Sequence, residues 1–307
     1  MTERSKFRVG LVQTSATPDP EDNLERAIRQ VRRAKELGAD LVALPELFRS
    51  QYFCQREDHS LFDLAEPVPG PTVVRLSGVA RELSVAILAP VFERRAAGVY
   101  HNTVAVLEND GRLAGIYRKM HIPDDPLYFE KFYFTPGDLG FRSFRLHAGR
   151  VGVMICWDQW YPEAARITAL TGADLLVYPT AIGWHPGEKQ EFGEAQRDAW
   201  KTVQRAHAIA NGVYVAVPNR VGLEHGDVRG DRVEGPGIEF WGTSFVADPF
   251  GRVLAEASTD REEVLVAEVD PHKVERTRRH WPFLRDRRLD AYGPITQRFL
   301  DETGSEG

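Results

Sequence analysis

The stretch GADLVALPE at residues 38–46 returns almost letter for letter as GADLLVYPT at residues 172–180. Each copy is a glycine, a short apolar run and a proline, and each closes the same larger unit. Ahead of the first, residues 7–14 (FRVGLVQT) form an apolar run of strand length, and Asp19-Pro20 supplies an N-cap and a first-turn proline. Leu24, Ala27, Ile28, Val31, Ala34 and Leu37 then recur at helical steps, giving one apolar stripe on a helix that Gly38 closes. Ahead of the second, residues 150–156 (RVGVMIC) are the strand, Pro162 and Glu163 open the helix, and Gly172 closes it. Strands apolar on both faces need cover on both faces. Two such units predict an α/β fold with two related halves.

The rest of the chain extends this pattern. Strands are expected at 85–93 and 103–108, with a turn at Asn109-Asp110-Gly111 and a further strand leading to Lys119. A long helix is expected over 194–212, ended by Gly212, then a strand at 213–219 and a hairpin formed by 242–258 and 262–270. The Gly- and charge-rich stretch 222–240 reads as an exposed loop. Strands that first alternate with helices and later meander imply mixed sheets with helices outside. Residues 1–307 read as one domain. Residues 276–307, which include RTRRHWPFLRDRR, read as a C-terminal extension used in packing or subunit contacts.

A net charge of −6 gives no electrostatic reason to expect a nucleic acid or an anionic membrane as partner. MTERSKFRVG lacks the apolar centre of a signal peptide, and no run approaches membrane-spanning length. Two cysteines make no disulfide framework, so a reducing cytoplasmic location is the expectation. There is no zinc-ligand spacing, P-loop or dinucleotide fingerprint, and no metal or organic cofactor is implied.

In that setting a thiol is either an inert core group or a nucleophile. Cys156 ends the second-half strand just before Trp157-Asp158-Gln159-Trp160-Tyr161-Pro162. That places it at the C-terminal edge of a sheet, with the following N–H groups pointing outward and a helix start expected to lower its pKa. A buried structural cysteine fits this pattern equally well. Cys54 lies in an irregular stretch and reads as a core or pocket residue. Glu46 ends the strand that mirrors the one after Cys156, where a carboxylate is either a helix cap or a reacting group. Lys119 follows an apolar strand and precedes a proline turn. Glu130 and Lys131 lie among Tyr128, Phe129, Phe132 and Tyr133, as a surface pair or a buried one.

Glu46 in LPELF, Lys119 in YRKMHIP and Cys156 in ICWDQWYPEAAR resemble, in order and spacing, the Glu–Lys–Cys triad of the nitrilase (carbon–nitrogen hydrolase) superfamily. The resemblance runs over nearly the whole chain. ELFRSQYFCQ, KMHIPDDPLYFEKFYFTPGDLGF, YPTAIGWHP, QRAHAIANGVYVAVPNRVG and WPFLRDRR are similar to the branch of that superfamily that hydrolyses N-carbamoylputrescine in polyamine biosynthesis. It implies a four-layer αββα sandwich, self-association into a homo-oligomer, and hydrolysis of a small carbamoyl-amine substrate. Cys156 would be the nucleophile and Glu46 the proton carrier. Lys119 and the backbone N–H of Trp157 would hold the oxyanion, and Glu130, the family's extra glutamate, would orient Lys119.

An ammonium at the far end of such a substrate needs a carboxylate or aromatic faces. Glu188, Glu191 and Glu194 are candidates for the charge, with Tyr52 and Trp184 as walls. Rival readings are a hydrolase of carbamoyl amino acids such as 3-ureidopropionate, a Cys–His hydrolase using His121 or His207, and a catalytically silent binding protein of this fold.

Overall fold

The structure is a computed structural model and describes residues 5–300. Its first half runs through β1 (Phe7–Gln13), α1 (Pro20–Glu36), β2 (Leu41–Ala43), α2 (Pro71–Leu83), β3 (Ala86–Ala96), β4 (Val99–Leu107), β5 (Leu113–Arg118) and a short α3 (Glu130–Tyr133). The second half opens with β6 (Ser143–Arg145), β7 (Arg150–Val153), α4 (Pro162–Leu170), β8 (Leu175–Val177), β9 (Gly183–Trp184) and α5 (Lys189–Asn211). It continues through β10 (Tyr214–Val217), β11 (Val221–Glu224), β12 (Ile238–Trp241), β13 (Phe245–Ala247), β14 (Val253–Glu256), β15 (Glu263–Val269) and α6 (Pro271–His280).

Two six-stranded sheets result, ordered β15-β1-β2-β3-β4-β5 and β14-β13-β10-β8-β7-β6. In each, three parallel strands form the centre and antiparallel strands the flanks. The sheets pack face to face through one apolar core that joins Val9, Leu41, Leu88 and Val104 to Val151, Leu175 and Val215. A second core lies between the first sheet and α1 and α2, while α4 and α5 cover the second sheet. The layers are therefore α, β, β, α, the sandwich that the family resemblance implies and with which the strand–helix grammar is compatible.

The helix stripe is seen as expected: Leu24, Ala27, Ile28, Val31 and Ala34 of α1 are buried, and Asp19 caps it by accepting from the Glu21 N–H at 2.9 Å. Leu37 departs from that stripe. It is the C-cap residue, 38% exposed, because the chain has already left the helical path. Gly38 (φ +90°) and Gly172 (φ +95°) both adopt the left-handed conformation that a side chain would strain, which is why both repeats begin with glycine.

Other expectations change. Residues 222–240 are not one exposed loop: β11 pairs with β12 and β12 with β9 in a small third sheet, and Glu224 and Ile238 are buried. The charge of Glu224 hides this, because it is answered by Arg220 inside the protein. α5 begins at Lys189, ahead of the expected Glu194. The sequence reading missed α2, whose buried face is Thr72, Val73, Leu76, Val79 and Ala80. The strands expected at 85–93 and 103–108 are present as β3 and β4, longer than expected and paired as a hairpin, and α6 is an addition. The hairpin expected from 242–258 and 262–270 does not form: β14 pairs with β13, while β15 joins β1 in the other sheet. Of the C-terminal extension, residues 301–307 lie outside the described residues.

Candidate active site

The site forms where chain segments leave the sheets. Glu46 follows β2 through Leu44-Pro45, Lys119 follows β5 directly, and Cys156 lies beyond β7. The sheets meet here: the Glu46 N–H donates to Thr180 O at 3.3 Å and the Cys156 N–H to Pro179 O at 2.9 Å. Three residues distant in sequence are thereby brought to one buried place.

The contacts are close. Lys119 Nζ donates to Glu46 Oε1 at 2.7 Å and to Glu130 Oε2 at 2.6 Å. Asn102 Nδ2 donates to the same Glu46 oxygen at 2.6 Å, and the Tyr52 hydroxyl donates to Glu130 Oε1 at 2.6 Å. Both carboxylates and the ammonium are almost wholly shielded from water. Glu46 Oε2 alone of these oxygens has no hydrogen-bond partner. A buried acceptor without a donor is costly, so this oxygen marks where a proton can be received.

Electrostatics follow from this packing. Burial alone would strip Lys119 of its proton, but Glu130 and Glu46 hold it on and raise its pKa well above the ordinary value. Burial, joined by the Glu46 charge and opposed by Lys119, pushes the Glu130 carboxyl up to about 7. Burial also pushes the Cys156 thiol up, with Glu46 as the next largest influence and Lys119 acting against it. This overturns the expectation that a helix start lowers the thiol. The residues after the cysteine form a 3-10 turn (Cys156–Trp160), the helix itself waits until Pro162, and desolvation wins. The resting sulfur is a neutral thiol whose weak S–H lies 3.8 Å from Ala181 O, so reaction requires a base.

Cys156 has φ +42°, a left-handed conformation that costs a non-glycine residue roughly 1–2 kcal/mol. Asp158 holds this turn. It accepts from the Ile155 N–H at 3.0 Å, the Tyr117 hydroxyl at 2.6 Å and the His121 N–H at 3.0 Å, so the segments around Cys156 and Lys119 share one buried anchor. Among the described residues the Trp157 N–H has no hydrogen-bond acceptor. A neutral thiol, a carboxylate with an open oxygen, a fixed ammonium and a free amide can together support attack on a carbonyl carbon.

Cys156 and Glu130 line a cavity of about 300 Å³. Its walls include Tyr128, Trp157, Trp160, Ile182 and Trp241, and Asp125, His185, Glu188 and Gln196 also line it. None of its lining residues is lysine or arginine. Of the acidic candidates, Glu188 belongs to this lining, where its carboxylate accepts from Gln196 Nε2 at 3.1 Å. Glu191 is exposed on the first turn of α5, and Glu194 lines a separate surface hollow with Lys201 and Glu256. Tyr52 and Trp184 stand behind the wall: Tyr52 packs on Tyr128 with ring centres 5.4 Å apart, and Trp184 packs on Trp241 at 5.6 Å.

His121 and His207 serve elsewhere. His121 Nδ1 lies 2.7 Å from Asp158 Oδ1, with its ring stacked on Tyr161, and His207 Nε2 lies 2.8 Å from Gln159 O. Both brace the turn behind the cysteine. Cys54 is buried, and burial pushes its thiol up. Sequence reasoning missed Asn102, Asp125 and Tyr128. A signal for the first existed: His101-Asn102-Thr103 is a polar run inside an otherwise apolar strand, and all three are buried. Among the described residues no cluster of His, Cys, Asp and Glu could hold a metal ion, and no helix is long and apolar enough to cross a membrane.

A family model described as carbon-nitrogen hydrolase matches residues 8–279. The chain is 44% identical over 294 residues to an N-carbamoylputrescine amidase of Solanum lycopersicum, covering 95% of this chain and 96% of that one. It is 36% identical over 296 residues to a citrullinase of Francisella tularensis subsp. tularensis, covering 96% and 100%. A solved carbon-nitrogen hydrolase from Helicobacter pylori G27 is 46% identical with a TM-score of 0.91, covering 96% of this chain and all of that one. By sequence and by fold, the chain belongs to the carbon–nitrogen hydrolase family.

Proposed function

We propose that this enzyme hydrolyses N-carbamoylputrescine to putrescine, carbon dioxide and ammonia through a carbamoyl thioester on Cys156. The sulfur attacks the ureido carbon while the open oxygen of Glu46 takes the thiol proton. Charge that develops on the carbonyl oxygen is met by Lys119 and by the Trp157 N–H, donors already in place before reaction. Glu46 returns the proton to the departing nitrogen, the C–N bond breaks, and ammonia leaves. Water deprotonated by Glu46 then attacks the thioester. The C–S bond breaks, the proton returns to sulfur, and the freed carbamic acid decomposes to carbon dioxide and the amine. Glu130 keeps Lys119 in place and balances its charge.

The choice of substrate rests on one observation: the residues that line the cavity beside Cys156 include Asp125 and Glu188 and no lysine or arginine. An ammonium suits such a lining, and aromatic faces such as Trp160 and Trp241 add to its stabilisation. Of the glutamate candidates, Glu188 is the one we assign to the substrate's far end. A carbamoyl amino acid would bring a carboxylate to the same walls with no cation to receive it. Citrulline, with both charges, is the second reading, favoured by the citrullinase similarity.

Ammonia release from N-carbamoylputrescine, citrulline and 3-ureidopropionate tests the reading, with Cys156→Ala as control. We expect the first to be preferred and the control to be inactive. Preference for 3-ureidopropionate or citrulline would overturn the substrate, and an active control would overturn the nucleophile.

We further propose that the chain acts as one domain in a reducing, cytoplasmic compartment. Residues 276–307 would contribute subunit contacts through exposed side chains such as Trp281, Ile295 and Phe299. Light scattering on Ile295→Glu/Phe299→Glu tests the last point; an unchanged oligomer would refute it.

A further inference from the structure

One buried ion pair near the site has no part in the reaction as written. Arg220 and Glu224 are each about 1% exposed, and Arg220 Nη1 lies 2.9 Å from Glu224 Oε2. Replacing such a pair with apolar groups is often neutral or stabilising, so its presence is weak evidence of a purely stabilising role.

The remaining donors of Arg220 show what it holds. Its Nε and Nη2 donate to Glu46 O at 3.1 and 2.9 Å, Nη2 also donates to Leu47 O, and Nη1 donates to Ser50 O at 2.9 Å. Every N–H of the guanidinium is engaged. All but the one on Glu224 serve the segment that begins with Glu46. Leu47 has φ +48°, a strained conformation for a branched side chain, and it lies where the chain turns away from Glu46. Arg220 bonds the carbonyls on both sides of the Glu46–Leu47 step.

Glu224 extends the clamp. Its Oε2 accepts the Tyr52 N–H at 2.7 Å, and the Tyr52 hydroxyl donates to Glu130, which in turn accepts from Lys119. The residue before Arg220, Asn219, bonds both the N–H and the carbonyl of Ile182 in the cavity wall, each at 3.1 Å. A short second-half segment thus grips three parts of the site.

We propose that the Arg220–Glu224 pair is a positioning device that fixes the Glu46 backbone and the Tyr52–Glu130 pair in reacting geometry. This rests on the reading of Glu46 as the proton carrier. Arg220→Lys keeps the charge but loses the planar fork, so it cannot reach all of these acceptors at once. Glu224→Gln keeps the shape and can still accept from Tyr52, but loses the charge facing Arg220.

The test is steady-state ammonia release by the full-length variants across pH, with active sites counted by burst titration. In Arg220→Lys, kcat per active site should fall about 10- to 100-fold with little change in KM, as small misplacements of reacting groups do. The acid limb of the kcat profile should be displaced. Glu224→Gln should show the same signature more weakly, and the double variant should be no worse than Arg220→Lys alone, because the two act as a unit. Unchanged kcat per active site in folded Arg220→Lys, or losses that multiply in the double variant, would overturn the proposal. If Arg220→Lys does not fold, Glu224→Gln decides by the same readouts. Glu46→Gln, assayed alongside, separates the two claims: if it retains full activity, the proton-carrier reading fails first.

Discussion

The two halves of the sandwich share a scaffold and differ in what they deliver at its end. Val9 pairs with Leu41 and Leu41 with Ala86 in one sheet; Val151 pairs with Leu175 and Leu175 with Tyr214 in the other. The Asp40 and Asp174 N–H groups donate to Arg8 O and Arg150 O, each at 2.9 Å. Beyond these matched strands the first half presents Pro45-Glu46 and the second Pro179-Thr180. The two terminal residues touch, through the Glu46 N–H and Thr180 O. Cys156 follows the strand whose first-half counterpart, β1, runs into Gln13-Thr14. The fold thus brings two similar ends to one junction, and the proposed carboxylate and sulfur come from opposite halves. Neither half alone holds both.

The sharpest way to break this comparison is to exchange weight between Glu46 and its counterpart. Glu46→Gln should lower turnover by about 10²–10⁴-fold, the range for a lost acid–base group. Thr180→Val should do little to the rate. The Thr180 hydroxyl donates to Tyr178 O at 2.8 Å, with Gln159 Oε1 also near at 3.2 Å, both structural neighbours, and removing it should cost about 1 kcal/mol of stability. Rates of ammonia release and urea unfolding of both variants check this. Comparable rate losses would mean that the second half contributes chemistry at Thr180 as well.

Glu130 sharpens the contrast because it adds a second buried carboxyl from the end of the first half, on α3. Its carboxyl is held up at about 7, against 4.5 for an ordinary glutamate, chiefly by burial. The folded protein therefore binds this proton more tightly than the unfolded chain does. The resulting stability is complete below about pH 4.5 and is lost as pH rises through about 7, on the order of a few kcal/mol for a group so placed. Glu130→Gln carries no such proton. Urea unfolding at pH 5 and pH 8 should show the wild type losing more stability than the variant over that interval. Equal losses would show that Glu130 is ionised throughout.

What could be read from the chain follows the same division. The repeated glycines, the α1 stripe and the apolar strands are local patterns, and each is present in the structure. α2 escaped notice because Val73-Val74 and Gly78 are poor helix formers, and the helix is held instead by burial of Val73, Leu76, Val79 and Ala80 against the first sheet. Glu224 read as loop charge because only its partner Arg220, and the fold that buries both, explain its position. The thiol of Cys156 was misjudged in direction because a local turn is visible in sequence while desolvation by distant elements is not. The cavity walls gather Tyr128, Trp160 and Trp241 from three separate segments, which no spacing rule connects.

The smallest expected difference tests whether the two scaffolds are as alike as their hydrogen bonds suggest. Gly10 and Gly152 occupy matched places, opposite Val42 and Leu176 and beneath α1 and α4. A Cβ on Gly10 would meet the Cβ atoms of Ala39 and Ala34 at 3.0 and 3.1 Å, contacts that a shift of a few tenths of an ångström relieves. On Gly152 it would lie 2.4 Å from Thr168 Cγ2 and 2.9 Å from Leu176 Cδ2. Thr168 is fully buried, so it has little room to yield. Gly10→Ala should be close to neutral, since alanine also restricts the unfolded chain by roughly 0.4–1 kcal/mol. Gly152→Ala should cost roughly 1–3 kcal/mol from overpacking, read as a lower urea midpoint at unchanged slope. Thr168→Ser removes the methyl group in the way and should restore part of that loss in the Gly152→Ala background. Equal costs at the two glycines, or no recovery from Thr168→Ser, would mean that the second half does not grip its helix more tightly than the first.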